Sequence, residues 1–474
     1  MSSTTQARAR IDSLLDANSF VEIGARVRAR STDFNLKQTD TPSDGVVTGY
    51  GVIGDRLVYV YAQDSKVLGG SIGEMHAKKI SGLYDLALKT GAPVIGLIDS
   101  AGLRLEESTD ALEAFGEIYY KQSLASGIVP QITAVFGSCG GGLAVAASLS
   151  DFTFIEEKNG RLFVNSPNAI EGNHAGKCDP SSAEFQSEAG NVDLAGDEAS
   201  IYAGIRELVS LLPANNSDVA VTDCSDDLNR ASANVNRTAG DAIIAISDVA
   251  DGGYVFETRP GCAREIVTAF IRLNGATVGV VANRSAVVGE DGEVAEKLDT
   301  VLSARGAAKA ARFVNFCDAF DIPVLTLTDV TGFKACKCGE KMLATNVAKL
   351  VSAFASATVP KVNVYTGKAY GSAYVAMNSK ALGADVTIAW PDAEIGCMDA
   401  DMAAKILANG KSADEIGKVA SDYKALQNNV ESAAARGYVD EIVEPADTRK
   451  YVIGAFEMLS NKAVEGPVRK HGTV

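Results

Sequence analysis

Apolar positions recur along this chain with two different periods, and the alternation between the periods happens twice. Residues 46–63, VVTGYGVIGDRLVYVYAQ, are two β-rich runs about Gly54-Asp55, which predicts a hairpin. Residues 75–90 then take a helical period, with Ile80, Leu83, Tyr84, Leu86 and Ala87 on one broad face. Residues 93–98 are almost wholly apolar, as a parallel strand covered on both sides must be. The succession returns as a hairpin over 267–282 turning at Asn274-Gly275, a helix over 305–320 and a strand over 323–328. That second helix places Ala308, Ala311, Phe313, Phe316 and Phe320 together. Further helical stretches are predicted over 199–212, 412–433 and 446–462.

Part of this repetition is nearly literal. APVIGLIDSAG at 92–102 answers IPVLTLTDVTG at 322–332, and PQITAVFG at 130–137 answers PKVNVYTG at 360–367. One offset of 230 serves both pairs, whereas the hairpins are offset by 220, so ten residues were gained ahead of the second motif. Repeated β-β-α-β-α-β units predict an α/β fold of two tandem halves, with boundaries expected at 1–250 and 251–474. A joining stretch, 172–250, is rich in Asp, Asn, Ser, Ala and Gly.

The offset carries Gly141-Gly142 onto Gly371-Ser372. The first turn, Gly137-Ser138-Cys139-Gly140-Gly141-Gly142, follows a buried strand and opens a small-residue helix. Glycine permits close backbone approach, and a helix start offers unbonded N–H groups. The second turn, GKAYGSAYVAM at 367–377, offers Gly371, Ser372 and Ala373, flanked by Lys368 and Tyr370. Neither is a Walker loop or a dinucleotide fingerprint, because the lysine and the glycine spacing are wrong. Two cradles of N–H groups can hold two carbonyl oxygens, which suits group transfer between two carbonyl compounds.

Composition narrows the setting. The chain has 474 residues, 46% hydrophobic and 22% charged, so two full cores are expected. A net charge of -16 argues against nucleic acid as a partner. The N-terminus, MSSTTQARAR, lacks an apolar run, and a cytoplasmic location is expected. Residues 132–149 carry no charge, but their glycines predict strand, turn and helix rather than a membrane span. Eight cysteines include no C-x-x-C pair; Cys336 and Cys338, spaced C-x-C, fall in an expected loop after Gly332. No metal site is expected.

Conventional catalytic side chains are scarce. The histidines are His76, His174 and His471. A Cys139–His76 nucleophile pair is conceivable, but a small buried thiol is the simpler expectation. Asp99 and Asp329, which end equivalent strands, are expected to cap turns rather than act as acid or base. Chemistry by backbone dipoles and a cofactor follows.

At these motifs the chain resembles the carboxyltransferase subunits of biotin-dependent acyl-CoA carboxylases and decarboxylases, together with the transcarboxylase large subunit. The resemblance rests on DGVVTG at 44–49, QDSKVLGGSIGE at 63–74, LKTGAPVIGLIDSAGLR at 88–104, residues 126–142, GVVANR at 279–284, residues 312–333 and 358–398, and ARGYVDEIVEPADT at 435–448; the tail KHGTV is similar too. It implies two tandem crotonase-like (ClpP/crotonase) halves, with 1–250 and 251–474 as the N- and C-terminal carboxyltransferase halves. Gly141, Gly142, Gly371, Ser372 and Ala373 would form two oxyanion holes, and Ala101, Gly102, Tyr370 and Val375 would contact substrate. Biotin would arrive on a separate carrier protein, with an acyl-CoA, a coenzyme A thioester, as substrate. The biotin ring nitrogen would take the α-proton, so no side-chain base is needed. Other partners would be a biotin carboxylase or a membrane decarboxylase subunit, in a homo-oligomer (dimer or hexamer) whose active sites form between protomers.

The chain departs from the family pattern in places. It has GSCGGGL at 137–143, DSAGLRLEES at 99–108 and KACKCGEKMLATN after Phe333. These changes leave the backbone donors in place but open a second reading, an altered-substrate or non-catalytic scaffold subunit. Val375 is aliphatic, as in transcarboxylase and methylmalonyl-CoA decarboxylase chains, which implies a propionyl/methylmalonyl or acetyl/malonyl pair.

Overall fold

A computed structural model describes residues 5–31, 40–173, 178–232, 234–235, 240–289 and 291–464. His174, His471 and the KHGTV tail lie outside the described residues. The chain forms two compact units, Met1–Ala220 and Val221–Val474. The division precedes the expected 250/251 boundary for a packing reason. Helix Ala242–Val249 buries Ala242, Ala245, Ile246 and Val249 in the core of the second unit, against Val267, Val280 and Leu325.

In the first unit one sheet runs Val21–Ile23, Val46–Ile53, Arg56–Gln63, Val94–Ile98, Gln131–Val135, Phe152–Glu156, Leu194–Gly196. The first three strands are antiparallel and the rest are parallel. In the second unit the path is Phe256–Thr258, Ile266–Leu273, Ala276–Asn283, Val324–Val330, Lys361–Tyr370, Val386–Ala389, Glu441–Ile442, with the same change from antiparallel to parallel. Each parallel pair encloses a crossover helix, as the topology requires. Glu74–Thr90 packs Ile80, Leu83, Tyr84 and Ala87 on Val94 and Ile98, with Leu86 partly buried. Ala304–Ala319 does the same in the second unit, burying Ala311 and Phe313 fully and Phe316 only partly.

The ten extra residues of the second half form a short hairpin, Ala286–Val288 with Val294–Lys297. The uncharged stretch 132–149 is divided between the buried strand Gln131–Val135 and the helix Gly142–Leu149. Among the described residues no helix is long and apolar enough to cross a membrane. KACKCGEKMLATN is mostly helix rather than loop, because Cys336 caps Lys337–Ser356, its thiol accepting from the Gly339 N–H at 3.3 Å.

Candidate active site: two strand–turn–helix cradles

Both turns are built alike. Past Val135 the first chain continues as Ser138–Gly140, which pairs in parallel with Arg161–Phe163. Past the parallel ladder of the second half, Lys368–Tyr370 pairs with Glu394–Gly396. Each turn ends in a glycine at positive φ, 60° at Gly141 and 63° at Gly371, a conformation that disfavours any side chain. Burial then matches position by position. Gly142 and Ser372 are exposed, Leu143 and Ala373 are buried, and Val145 and Val375 are exposed at 41% and 39%.

The donors differ. Gly141 gives its N–H to the Phe163 carbonyl at 2.9 Å, so it is not a free donor. Gly142 and Leu143 open the helix Gly142–Leu149, and Gly371, Ser372 and Ala373 open Gly371–Ala376, so their N–H groups fall in a first turn, where no intrahelical partner exists. A Cβ at Gly141 would meet nothing within 4 Å, so the open side of the turn lies there. A Cβ at Gly142 would stand 2.8 Å from the Tyr119 hydroxyl, and one at Gly371 would stand 3.3 Å from the Cys397 carbonyl. Leu143 was not anticipated from the sequence; its place one residue into the helix was the available signal.

Ala101 and Gly102 lie beside the first turn. The Ala101 N–H donates to Gly69 (2.8 Å) and the Gly102 N–H to Ser100 Oγ (3.0 Å), while a Cβ at Gly102 would lie 3.8 Å from the Gly140 carbonyl. Tyr370 is 2% exposed and points inward, donating its hydroxyl to Glu394, which Lys424 also holds at 2.8 Å. Burial opposes ionisation of Glu394, but the bonds from Lys424 and Tyr370 outweigh it and hold the carboxyl below its usual range.

Asp99 and Asp329 are structural. The Asp329 N–H is held by Asn283 Oδ1 (3.0 Å), and its carboxylate accepts the Lys368 N–H (2.8 Å) just ahead of the second turn. Burial raises the Asp329 carboxyl, and the Lys368 N–H opposes the rise. Asp99 pairs with Arg10 at 3.0 Å, and Gln63 Oε1 accepts its N–H. Cys139 is fully buried, and burial pushes its thiol far up, so no thiolate forms there. His76, also fully buried, bonds Gln63 and the Asp44 carbonyl instead. Among the described residues no cluster of three His, Cys, Asp or Glu side chains could hold a metal.

The class defined by this fold is the crotonase-like α/β protein, here with two strand–turn–helix cradles. Residues 3–474 match the carboxyl transferase domain. The chain is 40% identical to a propionyl-CoA carboxylase beta chain of Roseobacter denitrificans, over 99% of this chain and 93% of that one. It is 38% identical to the methylmalonyl-CoA decarboxylase subunit alpha of Propionigenium modestum, over 99% and 92%. Among solved structures, transcarboxylase 12S, a hexamer with hydrolysed methylmalonyl-coenzyme A bound, superposes with a TM-score of 0.91 at 35% identity, covering 98% of this chain and 92% of that one. The chain belongs to the carboxyl transferase family, biotin-dependent enzymes that act on CoA thioesters.

Proposed function

We propose that this chain moves a carboxyl group between carboxybiotin and a short-chain acyl-CoA, as a subunit of a carboxylase or a sodium-pumping decarboxylase. The observation that carries the reading is the pair of strand–turn–helix segments that set the N–H groups of Gly142-Leu143 and Gly371-Ser372-Ala373 at matching helix starts. Preorganised N–H groups stabilise an oxyanion without reorganising during reaction. The donor set fits both groups, since a ureido oxygen and a thioester oxygen are each hydrogen-bond acceptors. Biotin, brought by its carrier protein, supplies the carboxyl carriage. Each cradle of the chain would bind one of the two oxygens. Gly141 and Gly371 give the bends, and Ala101 and Gly102 form a wall of the first cradle. Tyr370 supports the second cradle through Glu394.

Val375, half-exposed beside the second cradle, lines the acyl end. An aliphatic wall favours acetyl or propionyl over an acyl group bearing a remote carboxylate, whose unpaired burial is costly. The working form is a homo-oligomer, dimer or hexamer, with a carrier and a biotin carboxylase or membrane decarboxylase subunit as partners. A cytoplasmic setting is supported by eight free cysteines.

Purified protein incubated with methylmalonyl-CoA or malonyl-CoA and free biotin is the test. Biotin-dependent appearance of propionyl-CoA or acetyl-CoA is expected, and Val375→Asp should shift the ratio between them. Absence of turnover with either thioester would refute the activity, and an unmoved ratio would refute the role of Val375.

A further inference from the structure

Helix Ser108–Ala125 reaches the first turn with one polar atom. The Tyr119 hydroxyl donates to the Gly142 carbonyl at 2.6 Å, at the short end for an O–H···O bond. Its ring packs on Phe115, with centroids 6.1 Å apart. Glycine at 142 is what admits this approach, because a Cβ there would lie 2.8 Å from the hydroxyl and 3.4 Å from Phe115.

In a planar trans peptide the carbonyl and the following N–H point opposite ways. Holding the Gly142 oxygen therefore fixes the Leu143 N–H, which lies in the first turn of helix Gly142–Leu149 and has no intrahelical partner. The first turn of a helix frays, and Gly142 has no side chain to steady it. We propose that Tyr119 is a positioning residue for the first cradle, its hydroxyl keeping the Gly142–Leu143 peptide oriented so that the Leu143 N–H faces the bound oxygen.

Among the described residues the second half shows no matching bond. Residues 115 and 119 correspond to Thr345 and Lys349 on helix Lys337–Ser356. Among the described residues, no side chain of that helix bonds a carbonyl of Gly371, Ser372 or Ala373. Burial raises the Tyr119 phenol above its ordinary value, so the hydroxyl keeps its proton and remains a donor. The same helix follows the loop that carries Ala101 and Gly102.

This inference rests on the reading of the first turn as an oxyanion cradle. Its test is Tyr119→Phe, which keeps the ring and its packing. With methylmalonyl-CoA and free biotin, kcat should fall by about 5- to 10-fold, the usual worth of one net hydrogen bond. KM for both substrates and the thermal midpoint should stay put. Phe115→Leu, which loosens the same contact without touching the hydroxyl, should lower the midpoint and spare kcat. Lys349→Met should leave kcat within about twofold, since that side chain bonds no cradle carbonyl. An active wild type with Tyr119→Phe unchanged in kcat, or changed only in KM or midpoint, overturns this inference alone. A wild type without turnover overturns it together with the activity.

Discussion

In the first half the Ile72 N–H donates to the Gly102 carbonyl (2.8 Å), and the Arg104 N–H donates to Ile72 (3.0 Å). In the second half Leu302 does the same to Gly332 (2.9 Å), and Lys334 to Leu302 (3.0 Å). The backbone is the same at an offset of 230, yet the side chains around it are not. Arg104 is 1% exposed, pairing with Asp44 and Glu107 at 2.8 Å each and donating to the Ser71 carbonyl at 2.7 Å. Lys334 is half-exposed and reaches Asp299 at 3.5 Å. Identical backbone geometry can therefore be held by a buried ionic cluster or by its own hydrogen bonds near solvent. Side-chain support can change between the halves while the turns that face the ligand keep their shape.

The largest break in this comparison should come from Arg104. Arg104→Met leaves two buried carboxylates uncompensated and should cost the first unit about 3–5 kcal/mol in denaturant unfolding. Lys334→Met, at the matching position, should stay within about 0.5 kcal/mol. Equal losses at both sites would mean the two loops are held alike.

The cradles come next. Gly141→Ala should cut turnover by about 100-fold, because a Cβ enters the open side of the turn and positive φ strains any side chain. Ser372→Ala should change turnover by no more than a few-fold, since the second cradle uses the N–H and not the hydroxyl. A large loss in Ser372→Ala would assign the hydroxyl a role in the chemistry.

Acid should then separate the halves. Burial, with Arg104 nearby, pushes the His76 imidazole from 6.5 down to about 3, whereas the matching residue of the second half is Gly306. As pH falls below 6.5 the unfolded chain takes up a proton that the folded chain refuses. His76 alone therefore withdraws about 1.4 kcal/mol of stability per pH unit. Asp44, raised by burial to about 6, acts in the opposite sense as pH falls through 6 toward the ordinary carboxylate range. The difference between wild type and His76→Asn isolates the histidine. It should shift in favour of the variant as pH drops from 6.5, measured by urea unfolding at several pH values. A pH-independent difference would show that His76 is solvated.

The smallest effect is expected at Cys139. Cys139→Ala should keep turnover within a few-fold, because the buried thiol is neutral and bonds nothing that reacts. Complete loss with normal acyl-CoA binding would revive a nucleophilic thiol.

Much of this architecture was legible from the chain alone. Matching runs of apolar residues predicted both hairpins, both crossover helices and both buried strands, since burial on one or two faces dictates a period. A single offset located both glycine turns, because strand, bend and helix each demand their own residue types. Pairings distant in sequence were not legible. Nothing near Gly141 shows that its N–H is taken by Phe163, nor near Gly142 that Tyr119 grips its carbonyl. Cys336 looked like a loop thiol until its helix supplied an N–H to cap. The division at Ala220 depends on which core helix Ala242–Val249 enters, and its composition suits either. The amino-acid order determined where N–H groups could be offered, through local sterics and periodicity. Tertiary packing decided which of them stay free and which side chains hold them, because those outcomes rest on carbonyls and hydroxyls brought close only by the finished fold.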